Sequence, residues 1–211
     1  MFRLPGIFRT VALRSTPKIQ IFNLNILPDT DYKTWSLEVK ADVRNLSDKA
    51  AEGYTLRYSV YPTTHLYKDE VTSSPTHQWT MPLSKVAAHR LTKVSTLQKN
   101  WRGAQLWSAE APHRYVLVAA LCNKEGKVVE TVSSYFGFRK VDIQEKTYYL
   151  NGHPIKLKGV NRHETHPEQG HTLTHQQMEE EIFLMKRNNI NHVRNSHYPP
   201  DPYWFYLCDK Y

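Results

Sequence analysis

The strongest constraint on this chain is a period of two. In "WSLEVKADVR", Trp35, Leu37, Val39, Ala41 and Val43 share one face, while Ser36, Glu38, Lys40, Asp42 and Arg44 share the other. Successive side chains of a strand point to opposite sides, so such alternation describes a strand with one dry and one wet face. "YTLRYSV" repeats it and turns Tyr54, Leu56, Tyr58 and Val60 inward. "RYVLVAALC" is almost continuously apolar, which marks a central strand. The turn "NKEGK" then leads into "VVETVSSYFGFRKV" and makes a hairpin. Strands of this kind fill residues 16–140 with no convincing helix among them, which predicts an immunoglobulin-like β-sandwich. The Cys–Trp–Cys spacing of antibody domains is missing. Residues 61–90 are polar and hold Pro62, Pro75 and Pro82, so they read as edge strands and loops.

After residue 150 the pattern changes. "PIKLKGVN" reads as a short strand and "RHETHPEQGHTL" as a histidine-rich loop. "THQQMEEEIFLMKRNN" reads as a helix, with Thr174 and Gln177 spaced as a capping box. Glu179, Glu180 and Glu181 precede Lys186 and Arg187, the order that the helix dipole favours. Met178, Ile182 and Met185 make one apolar face. "INHVRNS" is a second short strand, and Asp201 is placed to cap a second helix through "PYWFYLCDKY". Strand, loop, helix, strand, helix is the opening of a β/α repeat. The expected fold is therefore mainly β, a sandwich followed by the first two β/α units of an incomplete (β/α)₈ barrel, which needs roughly 250 residues to close.

Composition excludes several functions. No apolar run approaches the roughly 18 residues needed to cross a bilayer. The formal charge of +8 invites a nucleic-acid reading, but Lys40, Arg44 and Arg57 are scattered on wet strand faces, as on a solvated basic surface. Cys122 and Cys208 lie far apart with no motif around them, so no disulfide framework is expected and Cys122 reads as a small buried hydrophobe. The first 28 residues carry Arg3, Arg9, Arg14 and Lys18 with no acid, as a mitochondrial presequence would. The β-branched "PKIQIFNLNI" that follows argues against that, and no signal peptide is visible. A cytoplasmic location is the expectation. "HETH" lacks the H-E-x-x-H spacing of helical zinc sites, so no metal site is expected in the chain. Asn45-Leu46-Ser47 is a glycosylation sequon only for a secreted chain.

"NRHETHPEQG" and "NHVRNSHYPPDPYWFYLCD" resemble glycoside hydrolase family 2, and within it the β-galactosidases. The second stretch matches through Asn191, Arg194, Ser196, His197, Tyr198, Pro199, Trp204, Phe205 and Asp209. "GVNRHE" at 159–164 points to galactosidases over glucuronidases and mannosidases. "FRLPGIFR" resembles the end of the family's N-terminal sugar-binding domain, "LWSAEAPHRY" its middle sandwich and "FGFRKV" that sandwich's last strand. The resemblance covers almost the whole chain and divides it into three. Residues 1–15 would be a terminal strand left from a preceding sugar-binding domain, 16–140 the sandwich and 141–211 the start of the catalytic barrel.

The family's reaction uses two carboxyl groups roughly 5 Å apart around an oxocarbenium-like transition state. By resemblance, His163 and His197 are sugar-contacting, transition-state-stabilising residues, Arg194 lies near the nucleophile, and Asn161 and Arg162 support the strand end. Both catalytic glutamates would come from later barrel strands, so the chain is expected to hold no catalytic residue of its own and to be inactive alone. Mg²⁺ and a monovalent cation are implied for the complete enzyme, with no ligand for either here. The implied partners are a β-galactoside and either a complementing chain or a second copy, with neither nucleic acid nor membrane. The alternative is a non-catalytic sandwich module that kept the family's sequence. Glu164 has no second carboxylate to pair with as an acid and reads as structural. His166, His171, His175 and His192 read as structural or solvated.

Overall fold

The structure is a computed structural model that describes residues 6, 7 and 9–211. Two compact units emerge. One is Ser15–His153; the other joins Pro154–Tyr211 to the N-terminal segment ending at Arg14.

The first unit is an antiparallel sandwich. Strands β1 (Ile19–Thr30), β2 (Trp35–Asn45) and β5 (Leu91–Trp101) form one sheet in the order β1-β2-β5. Strands β3 (Thr55–Pro62), β4 (His77–Pro82), β6 (Tyr115–Cys122) and β7 (Val128–Phe136) form the other, ordered β4-β3-β6-β7. The alternation in the sequence is what lets the two sheets share a core. Leu37, Val39, Ala41 and Val43 of β2 are buried together with Leu56, Tyr58 and Val60 of β3 and Leu117, Ala119 and Leu121 of β6. The continuous strand β6 lies between β3 and β7, and Cys122 at its end is buried. Its hairpin to β7 closes through Asn123, whose N–H donates to the Lys127 carbonyl at 2.9 Å and whose Oδ1 accepts from the Lys127 N–H. Gly126 takes φ +78° in this turn, a conformation that suits a residue without Cβ. Pro82 ends the edge strand β4, where no ladder bond is lost. No helix occurs between residues 16 and 140. Asn45 is fully buried, its Nδ2 donating to the Lys49 and Val86 carbonyls at 2.8 and 3.0 Å, so the sequon is a core hydrogen-bonding device.

A short hairpin follows, β8 (Val141–Gln144) and β9 (Thr147–Leu150), with the two-residue β10 (His153–Pro154) beside β9. By compactness this hairpin goes with the sandwich, and the units divide after His153. The reason is local bonding. Asn151 exchanges bonds with Lys140 and donates to the Trp107 carbonyl at 3.0 Å, while Lys140 pairs with Asp29 at 3.1 Å.

The second unit has two parallel strands, β11 (Gly159–Arg162) and β12 (His192–Asn195), joined through helix α1 (His175–Arg187). Helix α2 (Pro202–Lys210) follows. The first strand is shorter than "PIKLKGVN" suggests; Asn191 instead fixes residues 156–158, accepting from the Lys158 N–H at 2.8 Å and donating to the Lys156 carbonyl at 3.2 Å. At Gly159 an added Cβ would meet the His192 ring at 3.1 Å, a close approach of the paired strands. The capping box of Thr174 and Gln177 is present, and Asp201 caps α2 by accepting from the Tyr203 N–H at 2.9 Å. The dipole argument holds only for Lys186 and Arg187. No acid lies in the first turn of α1, because the helix begins at His175 and places the glutamates beyond it. Met178 and Ile182 bury against Trp204 and Leu207, with Met185 and Val193 packed around them. Within the described part of residues 1–15 there is no strand, contrary to expectation; the rest of that stretch lies outside the described residues.

Candidate functional site

The site residues sit where the two parallel strands end. Along β11 and just past it, burial alternates: Asn161 and His163 are exposed, while Arg162 and Glu164 are 5% and 2% exposed. A strand end with two buried ions needs partners for both. Arg162 finds them in Glu181 of α1, with Nη2–Oε2 at 2.7 Å, and in the Trp204 ring, 3.7 Å beneath its guanidinium. Glu164 accepts from the Asp201 N–H at 3.1 Å and pairs with Arg9.

The outward residues form the other face. The register places Asn161 beside Arg194. His163, just beyond β11, and His197, just beyond β12, meet edge to face with ring centroids 5.5 Å apart. Arg194 turns toward the same place: Nη2 lies 3.3 Å from His197 Nδ1, and Nη1 donates to Ser196 Oγ at 3.2 Å. A guanidinium only donates, so Nδ1 of His197 accepts and the neutral ring carries its proton on Nε2. That leaves Nε2–H as a donor for a ligand oxygen. Ser196 is 1% exposed, and the Ser196–His197 peptide is cis.

Two residues that the sequence did not single out as a pair bind these loops together. Glu164 N–H donates to Tyr198 Oη at 3.1 Å, and the Glu164 carbonyl accepts from His171 Nδ1–H at 2.8 Å. Tyr198 also lies edge-on to His171 at 5.6 Å. His171 is thus a loop fastener, and His166 closes its own turn with Gly170. His175 stacks on Tyr203 at 3.8 Å. Among the described residues no group of three or more His, Cys, Asp or Glu side chains is arranged to hold a metal ion. Among the described residues no helix is long and apolar enough to cross a membrane.

Two adjacent imidazoles at parallel strand ends, with a guanidinium beside one of them, can exchange hydrogen bonds with a polar ligand. Known proteins match the chain along its length. Residues 19–139 match the model of glycosyl hydrolases family 2, and residues 141–211 match that family's TIM barrel domain. A β-galactosidase of Photobacterium profundum is 35% identical over 213 aligned residues, covering 100% of this chain and 20% of that protein. A β-galactosidase of Vibrio vulnificus is 36% identical with the same coverage. The chain thus spans about a fifth of the length of these relatives. The solved β-glucuronidase of Bacteroides uniformis shares the fold, with TM-score 0.77 and 23% identity over 92% of this chain and 23% of that one. Among the described residues the barrel repeat is represented by two parallel strands and two helices, and no barrel is closed. The chain belongs to glycosyl hydrolase family 2.

Proposed function

We propose that this chain supplies the middle sandwich and the first sugar-contacting loops of a retaining β-galactosidase. His163 and His197 donate to hydroxyls of the galactosyl ring, and Arg194 holds His197 in the tautomer that can donate. Arg162 supports the end of β11 from its buried side, and Asn161 borders the sugar. The observation that carries this reading is the 5.5 Å pairing of the two rings at neighbouring strand ends. The β-galactosidases that match the full length of the chain support the galactoside over other sugars.

The 211-residue chain alone does not turn over a galactoside. A carboxylate pair roughly 5 Å apart, projecting from barrel strands, is required, whereas Glu164 beyond β11 is buried and paired with Arg9, and Asp201 is engaged as the cap of α2. Further barrel strands, from the same or a second polypeptide, pair with the free edges of β11 and β12. The Mg²⁺ and monovalent cation of the complete enzyme bind to that further part. A cytoplasmic location is part of the same reading.

The test is a histidine-selective NMR titration of the chain with a non-hydrolysable thio-β-galactoside, beside the matching glucuronide. The His163 and His197 ring signals should move together with the galactoside and stay with the glucuronide. Movement of neither ring with either sugar would favour a non-catalytic module; movement with the glucuronide alone would overturn the galactoside.

A further inference from the structure

Arg9 is far from both histidines in sequence, yet it reaches the loops that carry them. Its Nη2 donates to the Pro199 carbonyl at 3.0 Å, and its Nη1 pairs with the Glu164 carboxylate. Glu164 directly follows His163, and Pro199 lies two residues after His197. The same guanidinium therefore holds both loops at once. We propose that Arg9 is a positioning residue for the sugar-contacting histidines, clamping the ends of β11 and β12 through Glu164 and Pro199; this rests on the galactosidase reading above.

Charge accounting supports the assignment. Two carboxylates and two guanidinium groups meet in this unit. Arg162 is committed to Glu181 by one hydrogen bond, Nε–Oε2 at 2.8 Å, and an ion-pair contact, Nη2–Oε2 at 2.7 Å, and is stacked on Trp204. It reaches Glu164 only at 3.6 Å. Glu164 is 2% exposed, and a buried carboxylate without a close cation is costly. Arg9 is the counter-ion that satisfies it while leaving Arg162 with Glu181. Its side chain is 29% exposed, so it closes the cluster from the solvent side.

Alternation turns this clamp into a positioning device. Glu164 points inward, so a fixed Glu164 forces its neighbour His163 outward. On the second loop, Glu164 Oε1 accepts from the Asp201 N–H at 3.1 Å and the Glu164 N–H donates to Tyr198 Oη. Pinning Tyr198, Pro199 and Asp201 leaves His197 little freedom beside His163. Planar, bidentate contact of this kind suits arginine, whereas an ammonium at the same place is a single point of attachment.

The experiment compares wild type with Arg9→Met, Arg9→Lys and Glu164→Gln in the 211-residue chain, by amide exchange and by the cross-relaxation between the two histidine rings. Arg9→Met should speed exchange at Glu164, Ser196 and Asp201 at least about ten-fold and weaken the His163–His197 ring contact. The amides of α1 and of the sandwich strand β6 should be unchanged. Arg9→Lys should recover part of the effect, and Glu164→Gln should reproduce the loosening with Arg9 intact. Unchanged loop exchange and ring contact in Arg9→Met would overturn the proposal. Loss of α1 protection in the same variant would also overturn it, since Arg9 would then hold the whole unit and not the loops. Loosened loops in a chain that binds no galactoside would sustain the clamp and defeat the sugar reading instead.

Discussion

The sandwich and the β/α unit solve the burial problem differently. In the sandwich, two faces of alternating strands enclose Leu37, Val39, Val43, Leu56, Tyr58, Val60, Leu117 and Leu121, each 0% exposed. Among its described residues the β/α unit clusters four buried apolar side chains, Met178, Ile182, Trp204 and Leu207. Much of what holds it is a charge cluster, Arg9, Glu164, Arg162 and Glu181. It also leaves Leu157 at 44%, Leu184 at 58% and Phe205 at 51% exposure. At roughly 25 cal/mol per Å² of apolar burial, side chains left outside contribute little to folding. A sandwich can stand on its hydrophobic core; a two-strand β/α unit depends on directional bonds and on neighbours. The loops that carry the histidines are on the weaker unit.

That contrast can be broken by substitution. Arg162→Met removes the cation between Glu181 and Trp204, and breaking a buried pair costs about 3–5 kcal/mol. We expect the amides of α1 and β11 to lose protection while those of β6 keep theirs; equal loss in both units would show one cooperative fold. Leu117→Ala makes a cavity in the sandwich and costs about 2–5 kcal/mol. Its calorimetric transition should fall without an earlier loss of the His163–His197 ring contact. A milder probe is Asp201→Ala, which removes the α2 cap at about 1 kcal/mol and should increase proteolysis after His153 while residues 15–153 survive. Equal resistance of both units to protease would contradict the contrast.

Alkaline pH gives the smallest separation. Burial, helped by the Asp209 carboxylate and opposed by Arg162, pushes the Cys208 thiol from its ordinary 9.0 up to about 11. A raised acid favours the folded state below the unfolded value, and the advantage disappears as pH rises through the folded one. Cys208 therefore supports the β/α unit fully below pH 9, and that support is lost by about pH 11. Tyr58 in the sandwich is pushed by burial to about 12, so its loss begins a step later, above its ordinary 10.0. Amide exchange at pH 9 to 10 should loosen α2 before β3. Iodoacetamide should modify Cys208 slowly at pH 8, and rapid modification would place it outside the packed helix.

These differences also explain what the sequence disclosed. Period two is local, so the strands around Trp35–Arg44 and Tyr54–Val60 could be read directly, as could the Thr174 and Asp201 caps. The clamp could not. Glu164 looks like one acid in a histidine-rich loop, and its partner Arg9 is brought to it only by folding. Nothing in "VDIQEKTYYL" announces that Asn151 and Lys140 fasten the β8–β9 hairpin to the sandwich. His163 and His197 are singled out by the family motif and not by physics, since an exposed loop histidine has no pattern of its own. The inward–outward alternation of Asn161, Arg162, His163 and Glu164 separates the buried side chains from the exposed ones.

The most direct measurement of the central claim is kinetic. The segment of the Photobacterium profundum β-galactosidase that aligns with this chain would be replaced by this chain, and kcat/KM measured with His163 and His197 intact or changed to Ala. The account predicts an active hybrid in which either substitution lowers kcat/KM by about 10²-fold, the scale of losing one donor to developing charge. An active hybrid indifferent to both substitutions would contradict it.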